Sequence, residues 1–341
     1  MPYIAKLFDS RVNKIGLLNL WEERGMAAPS HRYEAMYEFD GFDHITTWLL
    51  FHDKHTLPVG CLSLLPRRFE IFGKDVLCGV NCDIIVTKRH RTLGPAVILL
   101  ESLMKECKDL GFKVLLAMPN EMSRPIFIRA GYKPLGAVCR WSKVLRSKNK
   151  LKIKIKNIFA RKIIFGFADF FLKFTVDSGA YWRWRSIRKE VKIKDTPFSS
   201  QQELFCHDGD GEHAQAYLLW RFGRLNCKGS KVLSLYHDDV LLGYVIYYAE
   251  QKEAVIEYIS SAVKDNMNIV LIAFAEKMRQ GGIEVVSTDY YSAGRLRKNF
   301  QQAGFLYRSQ REVFTYSVDK NLENAISNIT DWSLFECDLD L

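Results

Sequence analysis

The chain has 341 residues, enough for two domains of ordinary size. Hydrophobic residues make up 48% of it and charged residues 26%, a globular composition that excludes a disordered or fibrous chain. Its eight cysteines include no Cys-x-x-Cys pair, which excludes zinc-ribbon and thioredoxin sites, so we expect reduced, mostly buried thiols and no metal site. We see no apolar leader and no run long enough to span a bilayer, and we expect a cytoplasmic protein.

The net charge of +10 is concentrated in one segment. Residues 143–194 hold 16 Lys and Arg against three acidic residues, a local net charge of +13. This segment predicts either a solvated connector between domains or a cationic surface for an anionic partner, such as phospholipid headgroups, a sugar nucleotide or a polyprenyl phosphate. Nucleic acid is an unlikely partner, because no zinc finger or helix-turn-helix motif is present.

The first half predicts a helix, then a run of strands, and then helix, strand and helix. Strands are expected at 45–51, 59–65 and 80–86, and a nearly all-apolar strand at 112–118. Apolar residues at helical spacing predict an amphipathic helix over 95–110, with Gly111 as its left-handed cap. Ser123 can cap a short helix that Gly131 ends.

The second half repeats this order. Strands are expected at 240–248, 255–260 and 283–288, with a helix between the last two that ends near Gly281 and Gly282. A last helix at 295–303 is followed by Gly304-Phe305, as Gly131-Tyr132 follows the short helix of the first half. We therefore predict an internal duplication at roughly 150-residue spacing. Two unrelated α/β domains are the alternative.

A loop between a strand and a helix carries the chemistry of the first half. It reads Arg91-Thr92-Leu93-Gly94-Pro95-Ala96, directly after the strand at 80–86. A strand-to-helix turn directs free backbone N–H groups and the positive end of the helix dipole at one point, which suits a pyrophosphate. Lys88, Arg89 and Arg91 add positive charge around it.

The stretch from Asn81 to Gly136 resembles the acetyl-CoA-binding half of the GNAT acyltransferases. The loop matches their (Gln/Arg)-x-x-Gly-x-(Gly/Ala) pattern, and residues 119–132 match their second motif, an Asn and a small polar residue before a short helix and a Gly-(Phe/Tyr) turn. The second half resembles a degenerate copy without that glycine loop. The resemblance implies an α/β (α+β) chain of tandem GNAT folds, each a mixed, mostly antiparallel sheet flanked by helices. The parts would be a GNAT acyl-CoA-binding domain at 1–145, a basic connector at 146–189, a degenerate GNAT-like domain at 190–320 and an acidic C-terminal tail at 321–341.

The resemblance also implies an activity. Such a chain would be an acyl-CoA-dependent N-acyltransferase that uses acetyl-CoA or a longer acyl-CoA. It would pass the acyl group directly, without a covalent intermediate, to the amine of an amino sugar or similar small amine. Double-GNAT chains of this layout resemble acyltransferases of bacterial polysaccharide and cell-surface biosynthesis. The implied cofactor-binding residues are Ile84, Ile85, Val86, Arg89, Arg91, Thr92, Leu93, Gly94, Pro95, Ala96, Asn120, Ser123 and Phe127.

The sequence indicates the catalytic groups less clearly than the cofactor-binding residues. Asp83 is the first candidate base because it lies on the strand before the loop, and His90 and Glu121 are alternatives. Ser123 can cap the short helix and contact the pantetheine arm or thiol. Phe127 stands where many GNATs have a proton-donating tyrosine, and a backbone N–H near Ile85 or Val86 would stabilise the oxyanion.

Two features of the second half bear on the acceptor. The segment 216–222 resembles the Leu-x-Trp-Arg-aromatic helix of these acyltransferases, and it would place Trp220 and Arg221 in the acceptor pocket. Asp338 and Asp340 either contact an ammonium group or form an acidic tail on the basic segment, and we favour the tail.

Two other functions fit parts of the sequence. Aminoacyl transfer from charged tRNA, as in the Fem peptidyltransferases, also pairs two GNAT-like domains but does not need the pyrophosphate loop. A non-catalytic CoA-binding protein would explain Phe127.

Overall fold

The computed structural model describes residues 2–39, 45–71, 74–146, 178–199, 204, 214–225, 229–263, 266–291, 294, 296–323, 326 and 334–338. The central part of the basic segment, residues 147–177, and Asp340 lie outside these residues. No helix in the described part of the chain has the length and apolar character needed to cross a membrane.

The first half follows the predicted order. Its elements are β1 (Tyr3–Leu7), α1 (Ser10–Arg24), α2 (Pro29–Tyr37), β2 (Thr46–His52), β3 (Gly60–Ile71), β4 (Lys74–Val86), α3 (Leu93–Glu106), β5 (Val114–Ala117), α4 (Arg124–Arg129) and β6 (Lys133–Val144). The helix predicted from Pro95 begins two residues earlier, so that Pro95 lies in its first turn, where the missing N–H costs no hydrogen bond. Gly111 and Gly131 both have positive φ, as their positions after a helix require.

The second half has the same order with different lengths. Its elements are α5 (Ser178–Ile187), β7 (Val191–Pro197), α6 (Ala214–Gly223), β8 (Lys231–His237), β9 (Val240–Glu250), β10 (Glu253–Ser261), α7 (Met267–Gln280), β11 (Val285–Tyr291), α8 (Arg297–Gln302) and β12 (Leu306–Ser317).

The described strands form one twelve-stranded sheet in the order β1-β2-β3-β4-β5-β12-β6-β11-β10-β9-β8-β7. Only the pairs β4–β5 and β10–β11 are parallel, and the other neighbours are antiparallel. The last strands of the two halves are exchanged. β12 pairs with β5 of the first half, and β6 pairs with β11 of the second, while β6 and β12 pair with each other. Each half therefore completes the sheet of the other.

Equivalent glycines show the duplication in detail. A Cβ on Gly60 would lie 2.7 Å from the carbonyl oxygen of Ile85, and a Cβ on Gly243 would lie 2.7 Å from that of Ser260, one residue before the end of the neighbouring strand in each half. Gly111 and Gly131 of the first half correspond to Gly282 and Gly304, all with positive φ. These pairs lie roughly 170 to 185 residues apart, so the expected spacing of roughly 150 was too short. The difference arises because the basic segment and α5 stand between the two copies.

Helices cover both faces of the sheet. One core cluster joins α1 and α2 to the second half through residues such as Trp21, Tyr217 and Trp220. A second cluster packs α3 and α4 on the other face of β2 to β5, with Leu99 and Phe127 among its members. The cysteines of the described residues are free and buried, as expected.

Candidate active site

The strand β4 separates from β5 in the middle of the first half. Their parallel pairing runs from Cys78 opposite Val114 to Val80 opposite Leu116 and ends there. Further along β4, the register with β3 shifts, because Ser63 pairs with Cys82 but Cys61 pairs with Ile85. A β-bulge of this kind adds a residue to one strand and bends it. The gap beside Ile84, Ile85 and Val86 is the place where sequence reasoning expected the thioester.

Asp83 occupies the bulge in an uncommon backbone conformation, with φ of +52°. Its carboxylate accepts hydrogen bonds of 2.8 and 2.9 Å from the Arg32 guanidinium of α2. The two side chains are only 6% and 12% exposed. Burial disfavours the charged form of Arg32, but the carboxylate of Asp83 outweighs that effect, and the pKa of Arg32 is raised. The candidate base is therefore held in one orientation on the α1–α2 face of the sheet.

Sequence reasoning missed Arg32. The residue is 51 positions from Asp83 along the chain, in a short helix with no local motif around it. Only the packing of α2 on β4 brings the guanidinium to the carboxylate, so no signal in the sequence alone identifies this pair.

The predicted pyrophosphate loop has open backbone groups. Lys88–His90 forms a single 3₁₀ turn, and Thr92 begins α3 without a side-chain cap on the first N–H groups of the helix. Nothing lies within 4 Å of the point where a Cβ on Gly94 would stand, so there is room beside this backbone for a ligand. Arg89 and Thr92 are exposed, whereas Pro95 and Ala96 are buried against the core. An uncapped helix start with exposed cations fits an anionic pyrophosphate.

Part of the Arg91 guanidinium is hydrogen-bonded within the protein. Its guanidinium donates two long hydrogen bonds of 3.4 Å to the carbonyl oxygen of Val86, the last residue of β4. Arg91 therefore ties the loop to the end of the strand and leaves part of its charge facing outward.

The second motif forms a small turn before α4. Asn120 Oδ1 accepts hydrogen bonds from the backbone N–H groups of Met122 and Ser123 and from the Ser123 hydroxyl. Ser123 stands at the N-cap position of α4, as predicted, but its hydroxyl bonds to Asn120 and not to the helix. Glu121 is fully on the surface, and Phe127 is 3% exposed.

A buried hydrogen-bonded pair lies where β4 and β5 separate. The Asn81 amide donates to the Leu116 carbonyl oxygen and to the Tyr132 hydroxyl, both at 2.9 Å. The Tyr132 ring packs edge-on against Phe127 with centroids 5.0 Å apart, and burial raises the pKa of its hydroxyl. Sequence reasoning used Tyr132 only as a turn residue. In the structure its ring packs against Phe127 and its buried hydroxyl accepts a hydrogen bond from Asn81.

His90 belongs to a cluster of imidazoles. Its ring centroid lies 5.0 Å from that of His52 and 5.2 Å from that of His55, and its Nδ1 is 2.9 Å from the Tyr3 hydroxyl. Burial, the two other imidazoles and Arg89 lower its pKa. Among the described residues no group of His, Cys, Asp or Glu has the arrangement of a metal site, these imidazoles included.

Trp220 and Arg221 lie on α6 at the contact between the halves. The Trp220 indole N–H donates a 2.6 Å hydrogen bond to the Ala35 carbonyl oxygen of α2, and the ring is 1% exposed. Arg221 follows it and is half-buried. The structure thus places Trp220 behind the helix that carries Arg32, where it supports α2.

Asp338 corrects the expectation of an acidic tail at this position. It is 1% exposed and forms a 2.6 Å ion pair with Arg67 of β3, which is itself 5% exposed. The neighbouring Cys337 carbonyl oxygen accepts a hydrogen bond from Tyr217 of α6. Asp338 therefore does not rest on the basic segment, because the buried guanidinium of Arg67 offers it a stronger partner than a solvated surface would.

Comparisons with known proteins agree with this geometry. Residues 17–132 match the sequence profile of the Acetyltransferase (GNAT) family. A search of curated proteins finds no match.

Several solved structures share the fold at low identity. A probable N-acyltransferase of Enterococcus faecalis V583, described as a conserved protein of unknown function, has a TM-score of 0.62 at 12% identity, over 94% of this chain and 73% of that one. A GCN5-related N-acetyltransferase from Anabaena variabilis ATCC 29413 has a TM-score of 0.60 at 14% identity, over 92% and 73%. A tandem GNAT protein from the clavulanic acid biosynthesis pathway has a TM-score of 0.52 at 12% identity, over 93% and 98%.

The profile match of residues 17–132 and the structural similarity of the whole chain both indicate a GNAT fold. The matched residues contain the α1–α2 face, the bulge of β4, the loop before α3 and the second motif. The tandem neighbour extends over nearly all of both chains. Residues 17–132 match the GNAT acetyltransferase family, the chain as a whole has the fold of a tandem GNAT protein, and the two findings together support an acyltransferase.

Proposed function

We propose that this chain transfers an acyl group from acetyl-CoA to the amine of an amino sugar or a similar small amine used in cell-surface polysaccharide synthesis. The transfer is direct, with no covalent acyl-enzyme. The observation that carries the proposal is the combination of a bulge at Asp83, a gap between β4 and β5, and an open helix start at Gly94, all in one half of the sheet.

Acetyl-CoA would supply an activated acyl thioester when bound. The residues that would hold it are the backbone of the loop from Thr92 to Ala96, with Arg89 and Arg91 near its phosphates. The space beside Gly94 and the uncapped start of α3 fit that role. Asn120 and Ser123, in the turn before α4, would contact the pantetheine arm.

Asp83 is the proposed base. It lies at the bulge, next to the gap, and Arg32 fixes the direction of its carboxylate. A carboxylate in this position can take the proton of an acceptor amine as the amine nitrogen approaches from the α1–α2 face. Arg32 contacts Asp83, and none of its described contacts reaches the gap. We therefore assign Arg32 a positioning role. Glu121 is too exposed to be held in one orientation.

The proton for the leaving thiolate has another source than Phe127, which carries no hydroxyl. The nearest buried hydroxyl is that of Tyr132, which bonds to Asn81 at the closed end of the gap. Solvent at the open end of the gap is the simplest donor.

Calorimetric titration of acetyl-CoA and free CoA tests the cofactor site. We expect micromolar binding to the wild type and loss of binding in Gly94→Glu, because the new carboxylate would stand where the phosphates bind. This variant should fold, since a side chain at Gly94 meets no atom within 4 Å. Asn266→Glu adds the same charge at the start of α7 in the second half and should bind like the wild type. Failure of both ligands to bind the folded wild type would contradict the proposal and favour the tRNA-dependent alternative.

An assay for the release of free thiol from acetyl-CoA, with glucosamine as the first acceptor, tests whether Asp83 is the catalytic base. We expect Asp83→Asn to lower kcat by at least about 100-fold with little change in CoA affinity, in the range typical of general-base catalysis. Glu121→Gln is the matched control and should retain full activity. A fully active Asp83→Asn variant would exclude Asp83 as the base. Acetyl-CoA binding without turnover on any amine would instead favour a non-catalytic CoA-binding protein.

The basic segment is proposed to contact anionic phospholipid headgroups. Within its described part, Trp184 is buried and donates a 2.7 Å hydrogen bond to Glu276 of α7, while Trp182 is 68% exposed beside the exposed Arg183 and Arg185. An exposed tryptophan next to cations suits a membrane interface. Sedimentation with vesicles containing phosphatidylglycerol should bring down the wild type but much less of Trp182→Ala, and vesicles of phosphatidylcholine alone should bring down neither.

A further inference from the structure

A cavity of about 460 Å³ lies in the second half, away from the proposed acyl-transfer site. It opens between α8 and the first part of β12, over the middle of β6. The gap between β4 and β5 is far from it along the sheet, because β5 pairs with Phe314–Ser317 at the other end of β12. No residue of the cavity belongs to the pyrophosphate loop, the bulge or the second motif. The volume is in the range of sites for small molecules.

Three aromatic rings form its walls. Trp141 of β6 and Tyr307 of β12 meet edge to face with centroids 6.2 Å apart, and Phe305 comes directly before β12. Trp141 and Phe305 are buried, but Tyr307 is 51% exposed at the mouth, and its neighbour Leu306 is 60% exposed. Exposed apolar residues next to a cavity are typical of a binding site.

The polar groups of the cavity are neutral or cationic. Arg297 and Gln301 of α8 and Gln310 of β12 are exposed, and none of their side chains forms a hydrogen bond or ion pair with another described residue. The indole N–H of Trp141 is buried and also has no partner among the described residues. No carboxylate among the described residues lines the cavity. Buried donors normally have partners, so the unpaired indole N–H of Trp141, with the exposed side chains of Arg297, Gln301 and Gln310 around the same cavity, indicates an acceptor that comes from a ligand.

The Arg297 guanidinium faces the cavity. It lies close enough to the buried Cys139 thiol of the cavity floor to oppose the effect of burial, which raises the pKa of that thiol. A guanidinium without a carboxylate partner, next to aromatic faces, is the common protein site for a carboxylate or phosphate on a ring. Aromatic faces also suit the flat side of an aryl or sugar ring.

We propose that this cavity binds a small ring-bearing organic anion, with its phosphate or carboxylate on Arg297 and its ring against Trp141 and Tyr307. The second half, which resembles a GNAT fold without a pyrophosphate loop, would then have a ligand site of its own. This inference does not depend on the proposed acyl transfer, because the two sites share no residue.

Calorimetry with three probes tests the proposal: 4-nitrophenyl phosphate, glucose 6-phosphate and inorganic phosphate. We expect at least one of the two ring-bearing phosphates to bind at least tenfold more tightly than inorganic phosphate. The tighter of the two identifies the ring as aryl or sugar. Arg297→Gln should weaken that binding at least tenfold, and Tyr307→Leu should weaken it severalfold. Arg308→Gln removes a charge from the same strand outside the cavity and should leave binding unchanged.

Thermal melting of each variant shows that it is folded, which we expect because Arg297, Tyr307 and Arg308 are exposed. The proposal is overturned if neither ring-bearing phosphate binds with a Kd of about 10 mM or less, which is about the weakest specific binding of interest. It is also overturned if inorganic phosphate binds as tightly, or if Arg297→Gln and Arg308→Gln have the same effect.

Discussion

Lys143 carries a buried ammonium group, and its removal should stabilise the protein at neutral pH. The side chain is 4% exposed, on β6 beneath α8. Its Nζ donates a hydrogen bond to the Ala303 carbonyl oxygen at the end of α8, and no carboxylate among the described residues forms an ion pair with it. Burial, with a smaller contribution from Arg279, lowers the pKa of Lys143 from 10.5 to about 8.

The size of the effect follows from that pKa. At about 1.4 kcal/mol for each unit, the shift corresponds to roughly 3 kcal/mol of unfavourable free energy for the charged amine in the folded protein. Lys143→Met removes this cost and loses one hydrogen bond to a carbonyl, worth about 1 kcal/mol. We therefore expect the variant to be more stable than the wild type by about 2 kcal/mol at pH 7.

The pH dependence gives the sharper test. Because the folded pKa is lower than the unfolded one, the folded wild type holds fewer protons than the unfolded chain between pH 8 and pH 10.5. The wild type gains stability as pH rises through this window, and Lys143→Met does not. The advantage of the variant should therefore shrink by about 3 kcal/mol in all and change sign near pH 9.5, about 1.5 units above the folded pKa.

Urea unfolding at pH 7, 8, 9 and 10 measures this difference, since groups common to both proteins cancel. Lys298→Met, which removes an exposed lysine on α8, is the control and should show no such trend. A difference between Lys143→Met and wild type that is constant over this pH range would refute the reasoning. So would a variant that is less stable than the wild type at pH 7.

Three further predictions use other parts of the structure. Asp338→Ala leaves the Arg67 guanidinium buried without its carboxylate and should lower the free energy of unfolding by about 3 kcal/mol. Asp239→Asn, which breaks an exposed ion pair at a position of positive φ that Asn tolerates, should have a much smaller effect in the same urea titration. Gly60→Ala places a methyl group 2.7 Å from a backbone carbonyl oxygen of β4 and should cost about 1–3 kcal/mol, and an unchanged melting temperature would contradict the close approach. The pKa of His90 is lowered, so the folded state binds a proton on this residue less readily than the unfolded chain does. The wild type therefore loses stability as pH falls through the ordinary histidine range. Calorimetric melting at pH 5.5 and 7.5 should show a smaller loss of stability in His90→Gln than in the wild type.

Local signals in the sequence were sufficient for the main helix of each half, the strands on either side of it and the short helix that follows. The apolar spacing of α3, the glycines after the helices and the all-apolar β5 each depend on a few neighbouring residues, and each is confirmed within a few positions. The loop before α3 was equally accessible, because a strand, a glycine turn and a helix start are contiguous in the chain. That is why the fold class and the family resemblance could be read without a structure.

The sequence did not show which of those elements lie next to each other in the fold. A strand pattern states which face is buried but not which strand lies beside it, so the exchange of β6 and β12 between the halves could not be seen. Asp338 shows the same limit for side chains. Its acidic surroundings in the sequence favoured a tail, whereas its partner Arg67 lies 271 residues away.

The amino-acid sequence by itself therefore determined the main elements of each half, the duplication and the strand-to-helix loop before α3, since all three depend on short stretches of chain. Tertiary structure alone decided that Arg32 orients Asp83, that Tyr132 is buried against Phe127 and that each half completes the sheet of the other. The physical reason is that hydrogen bonds, ion pairs and strand pairing act over a few ångströms in space. Their members are brought within that distance only when the whole core packs.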